Sequence, residues 1–485
     1  MSAAAALVVA AALAGCGTTT YFAGRKLPPS GIKNRVLIAI QNPSALGRGA
    51  LAIVDAYYDV RFSYDDKTGS FSISGYSGAL PTTIQNMPEE QIGAVYGSGD
   101  GSLAIISYSG ESVGGSQSGL NGNSSSVFMS RNQFYTFAAS QSSHVLTVLD
   151  RNNNGNYALN LPGIYRISLN TGGSVVLAFA ENSNYAYYPR KLSAAQTINY
   201  SGGPANWPKA AVDCEPQNSP GWCLFQVQSP DHVDATGNAY GAPLAFDRPI
   251  KAVFSADGGT AYVLNCGPEC GGQNASVSLL PTAPMNYLVG QQSGQLPTTG
   301  NVPNIPTPGG ASNALVASST LYVVGQQMMP DSYWGGYLTT INLQNNTVVP
   351  STGTSPNPVS ISDGAPGAPS RMILADDDTL WIGMTKCTNG ERFNNPGAYP
   401  SGYGCLTMYN TKSATVSLLE PFGGDLTGIA AITSLHKIYV AQGGQVFIYS
   451  TTNGAAIDNQ YVTVTGTASD VAYMDAITDG DNTVY

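Results

Sequence analysis

Residues able to do chemistry are few in this chain, and most stand apart. The densest group is Asp150-Arg151-Asn152-Asn153-Asn154-Gly155-Asn156-Tyr157. Oxygen-bearing side chains at positions 1, 3 and 5 with Gly at 6 are what a calcium loop needs. The Gly permits a sharp turn while the oxygens converge on a hard cation. On this reading Asp150, Asn152, Asn154 and Asn156 would hold calcium. Position 12 is Leu161 instead of a bidentate Glu, and an Asn/Gly turn between two strands uses the same letters. Asp376-Asp377-Asp378 and Asp479-Gly480-Asp481-Asn482 are weaker acidic runs. The three histidines, His144, His232 and His436, share no ligand spacing. This scarcity favours binding over catalysis.

Two further groups suit ligand recognition. Lys251, Asn313, Arg371 and Asp470 fall at matching points of a repeated segment, with Glu90 as a fifth candidate. In a ring of such repeats they would meet at the mouth of a central channel, where a few placed polar groups orient a ligand. The inserts 332–337 (SYWGGY) and 394–404 (NNPGAYPSGYG) set Tyr333, Trp334, Tyr337, Tyr399 and Tyr403 among Gly and Asn. Aromatic loops of that kind stack on sugars or contact protein.

The elements that must position these groups are short strands. Lys251–Leu264 (KAVFSADGGTAYVL), Asn313–Val324, Arg371–Ile382 and Gly428–Val440 share one shape: an apolar strand, a polar turn, then a strand carrying an aromatic. Those aromatics, Tyr262, Tyr322, Trp381 and Tyr439, are spaced by 60, 59 and 58 residues. Repeats of this length made of strands predict propeller blades. Asn453-Gly454 marks a hairpin further along the last repeat. Ser126–Asn160 reads as a nearly complete blade. The first strands lack an inner member and the last segment lacks outer ones, so the two ends are expected to complete one blade together. The expectation is an all-β propeller of about seven blades, six or eight also being compatible. It would occupy 35–485, with an irregular insertion at 190–248.

Tyr262-Val263-Leu264-Asn265, preceded by Asp257-Gly258-Gly259, resembles the turn and strand of the YVTN-repeat, lactonase-like propellers. Tyr322-Val323-Val324 and Tyr439-Val440-Ala441 match more weakly. The resemblance covers mainly 250–485 and implies the fold. It also implies an alternative function, a lactonase-like hydrolase using the central channel with a cation's help.

Composition agrees with a strand protein outside the cytoplasm. Of 485 residues only 10% are charged, against about 25% in average domains, while Gly numbers 56 and Tyr 28. Net charge is −10 with no basic run, so nucleic acid is excluded as a partner on electrostatic grounds. Residues 2–15 are apolar, small and uncharged, too short to span a bilayer and suited to the core of a signal peptide. Leu13-Ala14-Gly15-Cys16 resembles the bacterial lipobox, which implies lipidation of Cys16 and cleavage before it. Gly17 then implies the outer membrane. Residues 16–34 read as the lipidated Cys and a flexible tether. The other six cysteines form three close pairs, Cys214/Cys223, Cys266/Cys270 and Cys387/Cys405, expected as disulfides in an oxidising compartment. The function expected is an envelope lipoprotein that binds protein or glycan, touching membrane only through its lipid. A purely structural envelope role is the third reading.

Overall fold

The computed structural model describes residues 25–42, 47–61, 71–216, 220–233, 239–288, 296, 302–353, 355–362, 366–387, 404–419 and 424–478. Side chains of 458–461 are outside that description. So are Cys16, Tyr399, Tyr403 and 479–482, on which expectations had been placed.

Eight antiparallel sheets follow one another around a ring, each starting at its innermost strand. Blade 2 comprises Pro81–Met87, Ile92–Gly97, Ser102–Ser107 and Ser112–Gln117; blade 3 comprises Ser126–Met129, Tyr135–Ser140, Val145–Asp150 and Gly155–Asn160. Blade 4 opens with Ile164–Leu169, Val176–Ala180 and Ala186–Lys191. Blade 5 runs from Pro249–Phe254 to Asn304–Pro306, blade 6 from Asn313–Ala317 to Thr347–Val348, blade 7 from Ala368–Leu374 to Thr415–Leu419, and blade 8 from Leu426–Ile432 to Ala456–Val462. Blade 1 closes the ring. Its inner strand is Thr467–Tyr473, paired with Arg35–Gln41 and then Ala50–Asp55. Backbone bonds from Ile53 to Phe71 and from Ile73 to Leu51 add a short outer strand.

The blade count is therefore eight. The extra sheet is blade 4, whose outer strands lie inside the segment read as an irregular insertion. After Lys191 the chain makes a helix, Ala194–Tyr200, started by Ser193 and Gln196 in a reciprocal capping box. It then returns as Trp222–Gln226 beside Ala186–Lys191, with Ala211–Glu215 outermost. Cys214 and Cys223 are direct cross-strand partners there and form a disulfide. Cys266–Cys270 and Cys387–Cys405 are likewise bonded, as local pairing predicted.

The repeat aromatics pack sheet on sheet. Trp381 is fully buried between blades 7 and 8, among Ile429, Val440 and Tyr449. Its indole N–H donates to Thr379 Oγ1 at 2.9 Å, so burial, stabilising by roughly 3 kcal/mol, leaves no orphan donor.

Ring closure is held by charge as well as strands. Arg35, 1% exposed, donates to both carboxylate oxygens of Asp475 at 2.6 and 3.0 Å and to Glu111 Oε1 at 3.1 Å. Glu111 also accepts from the backbone N–H and hydroxyl of Ser30 at 2.8 and 2.6 Å. One guanidinium thus joins both ends of the chain to blade 2. Ser30 and Ile32, the latter 5% exposed, show that 25–34 docks on the propeller instead of forming part of a tether. No helix among the described residues is long and apolar enough to cross a membrane.

Candidate functional site: the central channel

The inner strands place side chains by a shared irregularity. A register shift falls at Thr82, Tyr165, Ile250, Ser370, Thr427 and Ser469, in six of these strands. A bulge leaves one residue unpaired and re-aims its neighbour. Those neighbours are Thr83, Arg166, Lys251, Arg371, Gly428 and Asp470, and in blade 6 Asn313 opens the strand. Lys251, Asn313, Arg371 and Asp470 are thus in equivalent places, as the repeat register predicted. Glu90 is not. It follows the far end of its strand, exposed and 3.6 Å from Arg131, and Thr83 holds the equivalent place in blade 2.

Much of this belt braces blade to blade. Asp470, fully buried, accepts from the Ile84 N–H at 2.7 Å. Gln85 exchanges two hydrogen bonds with the Met129 backbone at 2.8 and 2.6 Å. Ser126 meets Ile167, and Ser168 accepts from the Ala252 N–H at 3.0 Å. Lys251 Nζ donates to Asn313 Oδ1 at 2.7 Å, and Asn313 Nδ2 to the Ser370 carbonyl at 3.1 Å. Arg371 Nε donates to the Thr427 carbonyl at 3.0 Å.

Within the belt lie two cavities that share Arg166 and Arg371 in their walls. One, about 340 Å³, is lined mainly by blades 1–3, with Thr82, Gln85, Ser126 and Phe128 among its residues, and is completed by Arg166, Arg371 and Thr427. The other, about 480 Å³, is lined by blades 4–7, including Tyr165, Arg248, Asn313 and Glu269. Lys251 lies just behind that wall, 4% exposed. Burial, then the like charges of Arg166 and Arg371, hold its ammonium well below the usual lysine value. Burial and the charge of Arg371 also push the Arg166 guanidinium down. Glu269, on the turn closed by Cys266–Cys270, is pushed up to about 7 by burial and accepts from the Gln326 N–H at 3.0 Å.

The calcium motif resolves into a hairpin turn. Asp150 and Gly155 are cross-strand partners. Asp150 points inward and pairs with Lys191 Nζ at 2.6 Å, while its other oxygen accepts from the Asn152 N–H. Asn152 Nδ2 reaches the Tyr135 hydroxyl, Asn153 reaches Tyr157, and Asn156 reaches the Gly119 carbonyl. Asn154 takes the left-handed conformation, φ 53°. The side chains of Asp150, Asn152, Asn153 and Asn156 are engaged in different directions, the arrangement of a turn. In the first aromatic insert Tyr333 is exposed, while Trp334 and Tyr337 are half-buried on the strand Trp334–Asn342.

One group read as separate in sequence is assembled by the fold. His436 Nδ1 lies 2.6 Å from Asp376 Oδ2 and 3.0 Å from Asp377 Oδ2, between blades 7 and 8. Asp377 also accepts from Thr451 and Thr452. The two carboxylates and the imidazole could hold a divalent ion. The signal available in sequence was the repeat itself: both segments are the first turn of a blade. None of the three histidines lines either channel cavity.

No family model and no curated protein matches the chain. Among solved structures it is similar to the dihydro-heme d1 dehydrogenase NirN in complex with DHE. That likeness has a TM-score of 0.51 at 10% identity, covering 92% of this chain and 79% of that one. AztD from Citrobacter koseri gives a TM-score of 0.47 at 10% identity, over 91% and 97%. A candidate 6-phosphogluconolactonase from Bacteroides fragilis gives 0.43 at 8% identity, over 92% and 99%. At such identities the likeness is one of fold.

Proposed function

We propose that this chain is an exported, lipid-anchored propeller of the bacterial envelope that works as a binding module, taking a small polar solute into its central channel. The observation that carries the reading is the pair of cavities meeting at Arg166 and Arg371, walled by polar side chains from all eight blades. Three disulfides support an oxidising compartment. Binding is favoured over hydrolysis because none of the three histidines lines either cavity. Lipidation of Cys16 would tether the module, and Cys16→Ala should move it from the membrane to the soluble fraction on cell fractionation. Retention in the membrane would count against the anchor.

The channel reading is tested with Thr82→Cys, a bulge residue in the wall of the smaller cavity. A small hydrophilic thiol reagent should modify the oxidised protein there at nearly the rate of an exposed cysteine. A rate no faster than that of a core position would show the channel closed to solutes.

A further inference from the structure

The cavity between blades 4 and 7 has an electrostatic character opposite to that of the chain. The protein carries a net charge of −10, yet Arg166, Arg248 and Arg371 line this chamber and Lys251 stands behind it. Two carboxyl groups share the lining. Glu181 is exposed and accepts from Gln141 Nε2 at 2.8 Å, and Glu269 is engaged by Gln326. Among the described residues no carboxylate lies within ion-pair distance of Arg166 or Lys251. Arg166 makes no hydrogen bond to another described residue. Its guanidinium lies 5.8 Å from the Tyr165 ring centre, and the residue lines both cavities with five N–H donors in a fixed fork to offer. Arg371 is oriented by its anchor on the Thr427 carbonyl. Asn313, between Lys251 and the backbone of blade 7, adds an amide to the wall.

Like charges gathered with little solvent raise the free energy of the empty site, and an anion seated among them relieves it. Guanidinium groups suit oxyanions because they can donate two parallel hydrogen bonds. From this geometry we infer that the chamber binds a small multivalent oxyanion, a phosphate or a polycarboxylate, with Arg166 and Arg371 as direct donors and Lys251 supplying field from behind. The inference rests on the channel admitting solutes and adds the class of ligand.

Inorganic phosphate and citrate are the probes, titrated calorimetrically against the full disulfide-bonded chain, with sodium chloride at matched ionic strength as the reference. At least one probe should bind saturably in wild type. Arg166→Gln should weaken that binding about tenfold or more, the loss of one charge-assisted contact, and Arg166→Lys should recover part of it. Each variant must keep the near-ultraviolet dichroism of the wild type. Tighter binding of phosphate than citrate, or the reverse, identifies the source of the oxyanion. Identical behaviour of wild type and Arg166→Gln would overturn the inference, since generic exclusion of such anions from protein surfaces stabilises both alike. If Thr82→Cys is reactive but neither anion binds, the ligand class fails and the channel reading stands. If Thr82→Cys is unreactive as well, both fail.

Discussion

At the scale of residues, the channel shows which chemistry was legible. The equivalence of Lys251, Asn313, Arg371 and Asp470 was legible because each begins a recognisable repeat; Asn313 and Arg371 line a cavity, while Lys251 and Asp470 are buried. Arg166 was missed. Its segment has the polar turn 170–174 and then an aromatic, Phe179, on Val176–Ala180, but the repeat register extends only over the C-terminal segments, so its arginine was not set against Lys251. Glu90 was misplaced for a related reason, since blade 2 begins at Pro81 and its belt residue is an unremarkable Thr83. Glu269 was invisible in sequence, because only the fold buries it. Its carboxyl is raised from 4.5 to about 7. The native chain therefore holds a proton that the unfolded chain has released, and stability from this group is full below about pH 4.5 and lost as pH rises through 7. Glu269→Gln keeps an acceptor for Gln326 and removes that loss. Urea unfolding should show the variant gaining about 1–2 kcal/mol on the wild type between pH 5 and pH 8, after a discount for screening. Equal pH slopes would refute the assignment.

At the scale of elements, the bulge is the device that makes a channel out of strands. Six of the eight inner strands carry it, and hydrogen bonds from Asp470 round to Arg371 join the blades in series. The link from blade 8 back to blade 1 works by close approach. A Cβ at Gly428 would lie 2.4 Å from Asp470 Oδ1 and 2.8 Å from the Asp470 Cα. Gly428→Ala must push the strands apart, and a loss of roughly 1–3 kcal/mol is expected in denaturant unfolding. An unchanged midpoint would mean the contact is not tight. Strand positions could be read because alternation and turn letters are local. The outer strands of blade 4 could not, since a helix interrupts them and they pair out of chain order.

At the scale of the whole molecule, closure was predictable and the count was not. Strands without an inner member at one end and without outer members at the other implied a shared blade, and Arg35, Asp475 and Glu111 fasten it. The number of blades depends on which irregular segment hides a sheet. Eight blades leave a channel wide enough for two cavities, and a ring of that size brings together three cationic side chains from blades 4, 5 and 7. The most direct measurement is the rate of thiol modification at Ser370→Cys, a bulge residue lining the larger chamber, with and without inorganic phosphate at matched ionic strength. The prediction is rapid modification that phosphate slows, and no slowing when Arg166→Gln is added. Modification that is slow throughout, or fast and indifferent to phosphate in both backgrounds, would contradict a solute-binding channel governed by its arginines.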